Sequence, residues 1–266
     1  MATRLDDYLH SQGRFQSRSG AKAAVMAGLV SVDGSFAVKA GMRVRGTEDI
    51  QVVAPARKYV SRGGEKMAGA LDDLALDVTG MTVLDVGAST GGFTDCLLQR
   101  GASKVIAVDV GKGQLDWKLR GDDRVQVLEG VNARYLGAED LPPGRAELAT
   151  VDVSFISLLK VIGPVIDSLA DGGRVLALVK PQFEAGPSKA KGGVVREPAV
   201  HLEVLERVRD GLAELGLEIS SVAPSRLKGP KGNIEFFCLV ERGSGGVDVR
   251  DLAEAVERAH LSGEST

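Results

Sequence analysis

Asp85-Val86-Gly87-Ala88-Ser89-Thr90-Gly91-Gly92-Phe93 is the stretch whose reading decides the fold. It leaves the apolar run 82–86, which reads as a strand, and opens a segment of helical spacing. Glycines at such a turn let backbone approach a ligand closely, and the helix N-terminus that follows offers free N–H groups. Asp109 ends the next strand candidate, 105–110. A carboxylate at that point can accept both hydroxyls of a ribose. A tight strand–helix turn without a ligand is the plain alternative.

Four ligand or reaction classes compete for this loop. A dinucleotide fold wants Gly-x-Gly-x-x-Gly, and Ser89 stands at the second glycine. A phosphate loop wants a Lys-Ser/Thr pair after its last glycine, whereas Phe93-Thr94 follows. Residues 87–91 satisfy the hydrolase pattern Gly-x-Ser-x-Gly, but the downstream bases are only His201, opening an amphipathic helix, and His260, in a polar tail. The acid, glycine turn and second acid fit an S-adenosylmethionine (SAM) site, with Gly87, Ser89, Gly91, Gly92 and Phe93 near the methionine end and Asp109 on the ribose. Asp85 is expected to brace the loop or the cofactor amine, and Asn132 to meet the adenine edge.

Further strands are expected at 125–128, 148–153, 175–179, 217–222 and 234–240, with helical segments such as 202–215 between most of them. That alternation predicts an α/β, doubly wound, Rossmann-like sheet. The loop 228–232 makes the last two strands an antiparallel edge hairpin. Residues 1–53 differ: a helix through Leu5, Tyr8 and Leu9, a second capped by Ser17 and ending at Gly28, then short strands around the turn Asp33-Gly34. The chain therefore divides into a small α+β domain at 1–56, a linker at 57–60 and a large domain at 61–266.

Composition sets the outer limits. With 44% hydrophobic and 26% charged residues among 266, the chain is globular rather than disordered or fibrous. No apolar stretch suggests a membrane span or a secretory leader, and two cysteines make neither a disulfide framework nor a zinc site. A soluble, cytoplasmic, monomeric protein without a metal is expected. Residues 1–60 hold nine Lys/Arg against five acids, a net +4, leaving −7 for the remainder. A basic segment on an acidic body fits nucleic-acid binding.

Toward the C-terminal half, Asp152 ends the fourth large-domain strand without the Asn/Asp-Pro-Pro-aromatic run of amino-group methyltransferases. Cys96 and Cys238 fall in a helix and a strand, so a cytosine-C5 nucleophile is absent and a hydroxyl acceptor remains. Lys180 ends the fifth strand, Lys66 precedes the first large-domain helix in Ser61-Arg62-Gly63-Gly64-Glu65-Lys66, and Glu235 lies on a strand between apolar neighbours. In order and context Lys66, Asp152, Lys180 and Glu235 resemble the Lys-Asp-Lys-Glu tetrad of FtsJ-like ribose 2′-O-methyltransferases. Residues 1–53 resemble the S-four RNA-binding domain through Arg4-Leu5-Asp6, Ser17-Arg18, Ala21-Lys22 and 28–34. With Asp-Val-Ser-Phe-Ile-Ser and Val-Lys-Pro-Gln-Phe added, the chain resembles the TlyA family.

That resemblance implies transfer of a methyl group from SAM to cytidine 2′-hydroxyls of 16S or 23S rRNA, with ribosomal RNA or subunits as partner. Lys180 would sit on the hydroxyl as base or orienter, Lys66 would supply neighbouring charge, and Asp152 and Glu235 would hold the amines. Arg4, Arg14, Ser17, Arg18 and Lys22 of the small domain, with Arg62, Lys189 and Lys191, are the expected RNA contacts. Two other classes stay in play: a membrane-active hemolysin, the family's older name, and a non-catalytic RNA-binding assembly factor. Tyr59 in the linker stands where mycobacterial members carry tryptophan.

Overall fold

Strands whose alternate residues are both apolar need cover on both faces, and the large unit supplies it. A computed structural model describes residues 2–261 except 16, 27, 38, 53–57 and 142–144. Its contacts separate two compact units, Met1–Arg57 and Lys58–Thr266. Val38 and Val53, expected at strand ends, and residues 54–57, around the expected linker boundary, lie outside the described residues.

The first unit runs β1 (Thr3–Arg4), α1 (Leu5–Ser11), α2 (Arg18–Met26), β2 (Val30–Val32), β3 (Ser35–Phe36), β4 (Arg43–Val44) and β5 (Ile50–Val52). β2 pairs antiparallel with β3 and β5, and β1 pairs with β4. The Asp33-Gly34 turn takes φ values of 50° and 76°, the left-handed pair that a tight hairpin requires. Leu5, Leu9, Ala21, Val25, Val30 and Val44 close a core of this unit's own.

The second unit contains α3 (Arg62–Asp73), β6 (Thr82–Val86), α4 (Gly92–Gln99), β7 (Lys104–Asp109), α5 (Trp117–Arg120), β8 (Val125–Glu129), β9 (Leu148–Val151), α6 (Ile162–Asp167), β10 (Arg174–Val179), α7 (Pro181–Glu184), α8 (Pro198–Ala213), β11 (Leu217–Pro224), β12 (Phe236–Arg242) and α9 (Val249–Leu261). Its seven-stranded sheet has the order β11-β12-β10-β9-β6-β7-β8, parallel from β10 to β8 and antiparallel at β12. One face, with Val83, Val105 and Leu178, packs with apolar residues of α3, α4 and α5. The other, with Leu84, Ile106 and Val175, packs with those of α6, α8 and α9.

The connections leave β6 toward β7 on one side and continue from β9 toward β10 on the other. The loops after β6 and β9 therefore flank the switch point, where open α/β sheets form their ligand crevice. Three local expectations change. Lys66 lies inside α3, which starts at Arg62 under a Ser61 cap that accepts from the Gly63 N–H. Glu235 stands one residue before β12. His260 belongs to α9, whose apolar Leu252, Ala255, Val256 and Ala259 recur at helical spacing and are buried. No helix among the described residues is long and apolar enough to cross a membrane.

Candidate active site

Two cavities open at the switch point and share Gly87, Ser89 and Asp152 as walls. The first, about 480 Å³, lies over the ends of β6, β7 and β8 and is also lined by Asp109, Gln114, Asn132 and Phe155. That volume is within the ordinary range for small-molecule sites. The second, about 310 Å³, is lined by Arg62, Lys66, Phe93, Lys180, Lys228 and Glu235.

Backbone geometry explains the shared wall. Gly87 takes φ 84°, and a Cβ there would stand 2.5 Å from the Asp152 carbonyl oxygen. Only glycine lets the two loops come this close. Ser89 also adopts a left-handed φ of 49°, and its N–H donates to Asp109 Oδ2 at 2.7 Å. The Gly111 N–H donates to Asp109 Oδ1 at 2.7 Å. Each carboxylate oxygen keeps a free lone pair at the cavity wall. The side-chain oxygen of Asn132 accepts from the Arg134 N–H, leaving its amide donors for the cavity. The Ser89 hydroxyl contacts Gln114 Oε1 at 3.4 Å, not a histidine.

Asp85 is separate. It shares the sheet face of Val83, is fully buried and accepts from the hydroxyls of Thr94 at 2.6 Å and Thr150 at 2.9 Å. Burial pushes its carboxyl up to about 6, against the pull of these hydrogen bonds. Gly91, in the left-handed region at the N-cap of α4, lines neither cavity. Gly92 permits the close crossing of α3 and α4, since a Cβ there would lie 2.2 Å from Ser61 Oγ. Phe93 packs against Phe237 beneath the second cavity.

The four expected tetrad members meet in that second cavity as two ion pairs. Lys66 Nζ donates to Glu235 Oε2 at 2.5 Å, with Glu235 fully buried. Lys180 Nζ stands 2.5 Å from Asp152 Oδ1 and donates to Ser154 Oγ at 2.9 Å. Asp152 retains side-chain exposure of 27%, so this pair faces the opening while the Lys66 pair lies deeper. Gln182 Nε2 donates to Glu235 Oε1 at 3.2 Å. Ser154 and Gln182 were visible within the motifs that carry the family resemblance, yet only the fold shows what they touch.

The expected RNA contacts are scattered in kind. Arg62 is exposed at the cleft lip and donates to the Lys228 carbonyl at 3.2 Å. Lys189 forms a close ion pair with Glu203, whereas Lys191 is exposed with no partner for its amine among the described residues. In the first unit Arg4 and Arg18 both engage Asp6, which is buried, and Asp7. The Arg4 guanidinium, with Arg18 assisting, holds the Asp6 carboxyl down at about 2. Ser17 Oγ accepts from the Gly20 N–H and caps α2. Arg14 and Lys22 are exposed and without an ion-pair partner among the described residues.

Residues 59–242 match the model of the FtsJ-like methyltransferases, and residues 3–50 match the S4 domain. The chain is an FtsJ-like methyltransferase. Full-length relatives narrow the branch. The 16S/23S rRNA (cytidine-2′-O)-methyltransferase TlyA of Mycobacterium tuberculosis is 42% identical over 263 residues, covering 98% of each chain. Hemolysin A of Brachyspira hyodysenteriae is 40% identical over 235 residues, 88% of this chain and 98% of its own. A solved Streptococcus thermophilus structure, described as a hemolysin candidate, superposes with TM-score 0.79 at 41% identity, covering 99% of this chain and 97% of that one. This FtsJ-like methyltransferase thus belongs to the TlyA family, and its S4 domain lies in the first compact unit.

Proposed function

We propose that this methyltransferase modifies ribose 2′-hydroxyls of ribosomal RNA, with SAM as donor and cytidines of 16S or 23S rRNA as targets. One observation carries the reading: two lysine–carboxylate pairs face a cleft that joins the larger cavity through Gly87, Ser89 and Asp152. The larger cavity fits the cofactor. Asp109, fixed by two backbone N–H groups, has lone pairs free for a diol, and Asn132 has amide donors free for a ring edge. Apolar Val110, Val131 and Ile156 would hold a flat ring between them. SAM, when bound, supplies a methyl already activated by its sulfonium.

This chain's own residues then do three things. Lys180 at the join of the cavities orients the ribose hydroxyl and, in its neutral amine form, takes up its proton. Asp152 holds the Lys180 amine at that join, and the Ser154 hydroxyl accepts a second hydrogen bond from it. Lys66, anchored by Glu235, adds positive charge deeper in the cleft, where it favours developing charge on the attacking oxygen. Positioning supplies much of the rate in such a displacement. Arg62 and Lys191 and the S4 domain's Arg14 and Lys22 are the RNA contacts favoured by their exposure. We take residues 1–56 as the RNA-binding domain and 61–266 as the catalytic one, acting as a monomer.

Ribosomal subunits from cells lacking the protein, incubated with it and isotope-labelled SAM, should gain 2′-O-methyl groups that mass mapping assigns to cytidine. Lys180→Ala should leave SAM affinity within a few-fold and abolish that gain. Turnover near that of the parent would reject the assignment of Lys180.

A further inference from the structure

Both ion pairs of the cleft are tied to one short turn. In the antiparallel β10–β12 pair Val179 stands opposite Phe236, so Lys180 and Glu235, one residue beyond, leave the sheet side by side. Lys180 turns to Asp152 and Ser154, and two residues later Gln182 reaches Glu235. The Glu235 carboxylate is fully buried; Lys66 takes one oxygen and the Gln182 amide the other. A Cβ on Gly229 would lie 2.1 Å from Glu235 Oε1, so that side admits no other side chain. A carboxylate held through a single oxygen can swing about its terminal bond, and a donor on the second oxygen fixes its plane. Gln182 Oε1 is buried with no partner among the described residues, so no competing donor decides which way the amide points. With the amide reversed, its oxygen would face a carboxylate.

We propose that Gln182 is a positioning residue for methyl transfer: by fixing the plane of Glu235 it sets where the Lys66 ammonium stands in the cleft. This rests on the reading of Lys66 and Lys180 as the groups flanking the ribose hydroxyl. Gln182→Met keeps the side chain's length and loses the donor. Gln182→Glu restores a donor only while its carboxyl holds a proton, which a neighbouring carboxylate favours at lower pH.

The assay is methylation of unmethylated ribosomal subunits with labelled SAM, beside calorimetric SAM binding. Gln182→Met should lower kcat roughly 10- to 100-fold, the loss that follows when a buried hydrogen-bonded group is orphaned. SAM affinity and the KM for subunits should stay within a few-fold. Gln182→Glu should recover toward the parent as pH falls, so that its optimum lies on the acid side of the parent's. A Gln182→Met kcat equal to the parent's overturns the proposal, and so does a Gln182→Glu profile that is merely scaled down without an acid displacement. Should Gln182→Met lose SAM binding through misfolding, the Gln182→Glu profile decides alone. Lys66→Ala and Lys180→Ala separate the two levels: full turnover in both sinks the underlying reading, whereas inactive lysine variants beside a fully active Gln182→Met sink only the role of Gln182.

Discussion

Asp85 and Asp109 are the same residue at comparable strand ends, yet their neighbours give them different work. Side chains alternate between sheet faces, and Asp85 shares its face with buried Val83, so it ends under α4 against Thr94. Asp109 closes β7 and is turned to the cavity by the N–H groups of Ser89 and Gly111. Asp109→Ala should therefore weaken SAM binding by about 1–3 kcal/mol, the usual cost of orphaning hydrogen-bonded polar groups. Calorimetry checks it, and unchanged affinity would remove Asp109 from the cofactor site. The parity of Asp85 with Val83 was legible in the sequence. The capture of Asp109 by Ser89 was not, because it depends on a left-handed serine at the crossing of two loops.

Helix α9 shows what an element contributes beyond its own sequence. It packs with α8 through an imidazole pair, His201 Nδ1 lying 3.0 Å from His260 Nε2, with the His201 ring edge-on to Phe236. Burial, with His260 adding to it, pushes the His201 imidazole down to about 4. The unfolded chain takes up this proton near pH 6.5 and the folded chain only near 4, so the group penalises the fold as pH falls through that window. Stability is retained in full above about pH 6.5, and the loss approaches about 3 kcal/mol near pH 4 at 1.36 kcal/mol per unit. Urea unfolding at pH 7 and pH 5 should show a smaller acid loss for His201→Gln than for the parent. Equal losses would clear the histidine pair. The helical spacing of α9's apolar residues is legible in the sequence, but the meeting of His260 with His201 on another helix is not, since it depends on how α9 packs on α8.

At the scale of the molecule, each unit has its own core, so removing residues 1–57 should spare the large unit's fold and its SAM binding. Methylation should fall through lost RNA affinity rather than through the chemical step, which single-turnover kinetics can separate. Within the small unit the ion pairs sort the cations. Arg4 and Arg18 are committed to Asp6 and Asp7, whereas Arg14 and Lys22 are exposed without ion-pair partners among the described residues. Replacing Arg14 and Lys22 together should flatten the log–log salt dependence of RNA binding by about 1.5 to 2 units, roughly one per lost phosphate contact. Parallel lines for variant and parent would show that neither touches phosphate.

The class of the large domain was determined by sequence alone, because strand–helix alternation and a glycine turn are local patterns that survive without knowledge of partners. So were the Asp33-Gly34 hairpin and the candidacy of Lys66, Asp152, Lys180 and Glu235, which the quoted motifs carry. Pairing was decided only in three dimensions. Lys66 and Glu235 are separated by most of the large domain in sequence, and they meet because α3 lies over a sheet in which β12 runs beside β10. The same holds for Gln182, whose amide meets Glu235 only because antiparallel register brings two strand ends together. Sequence spacing records which side chains share a face of one element; it carries no information on which faces of different elements close on each other, since that depends on how the whole core packs.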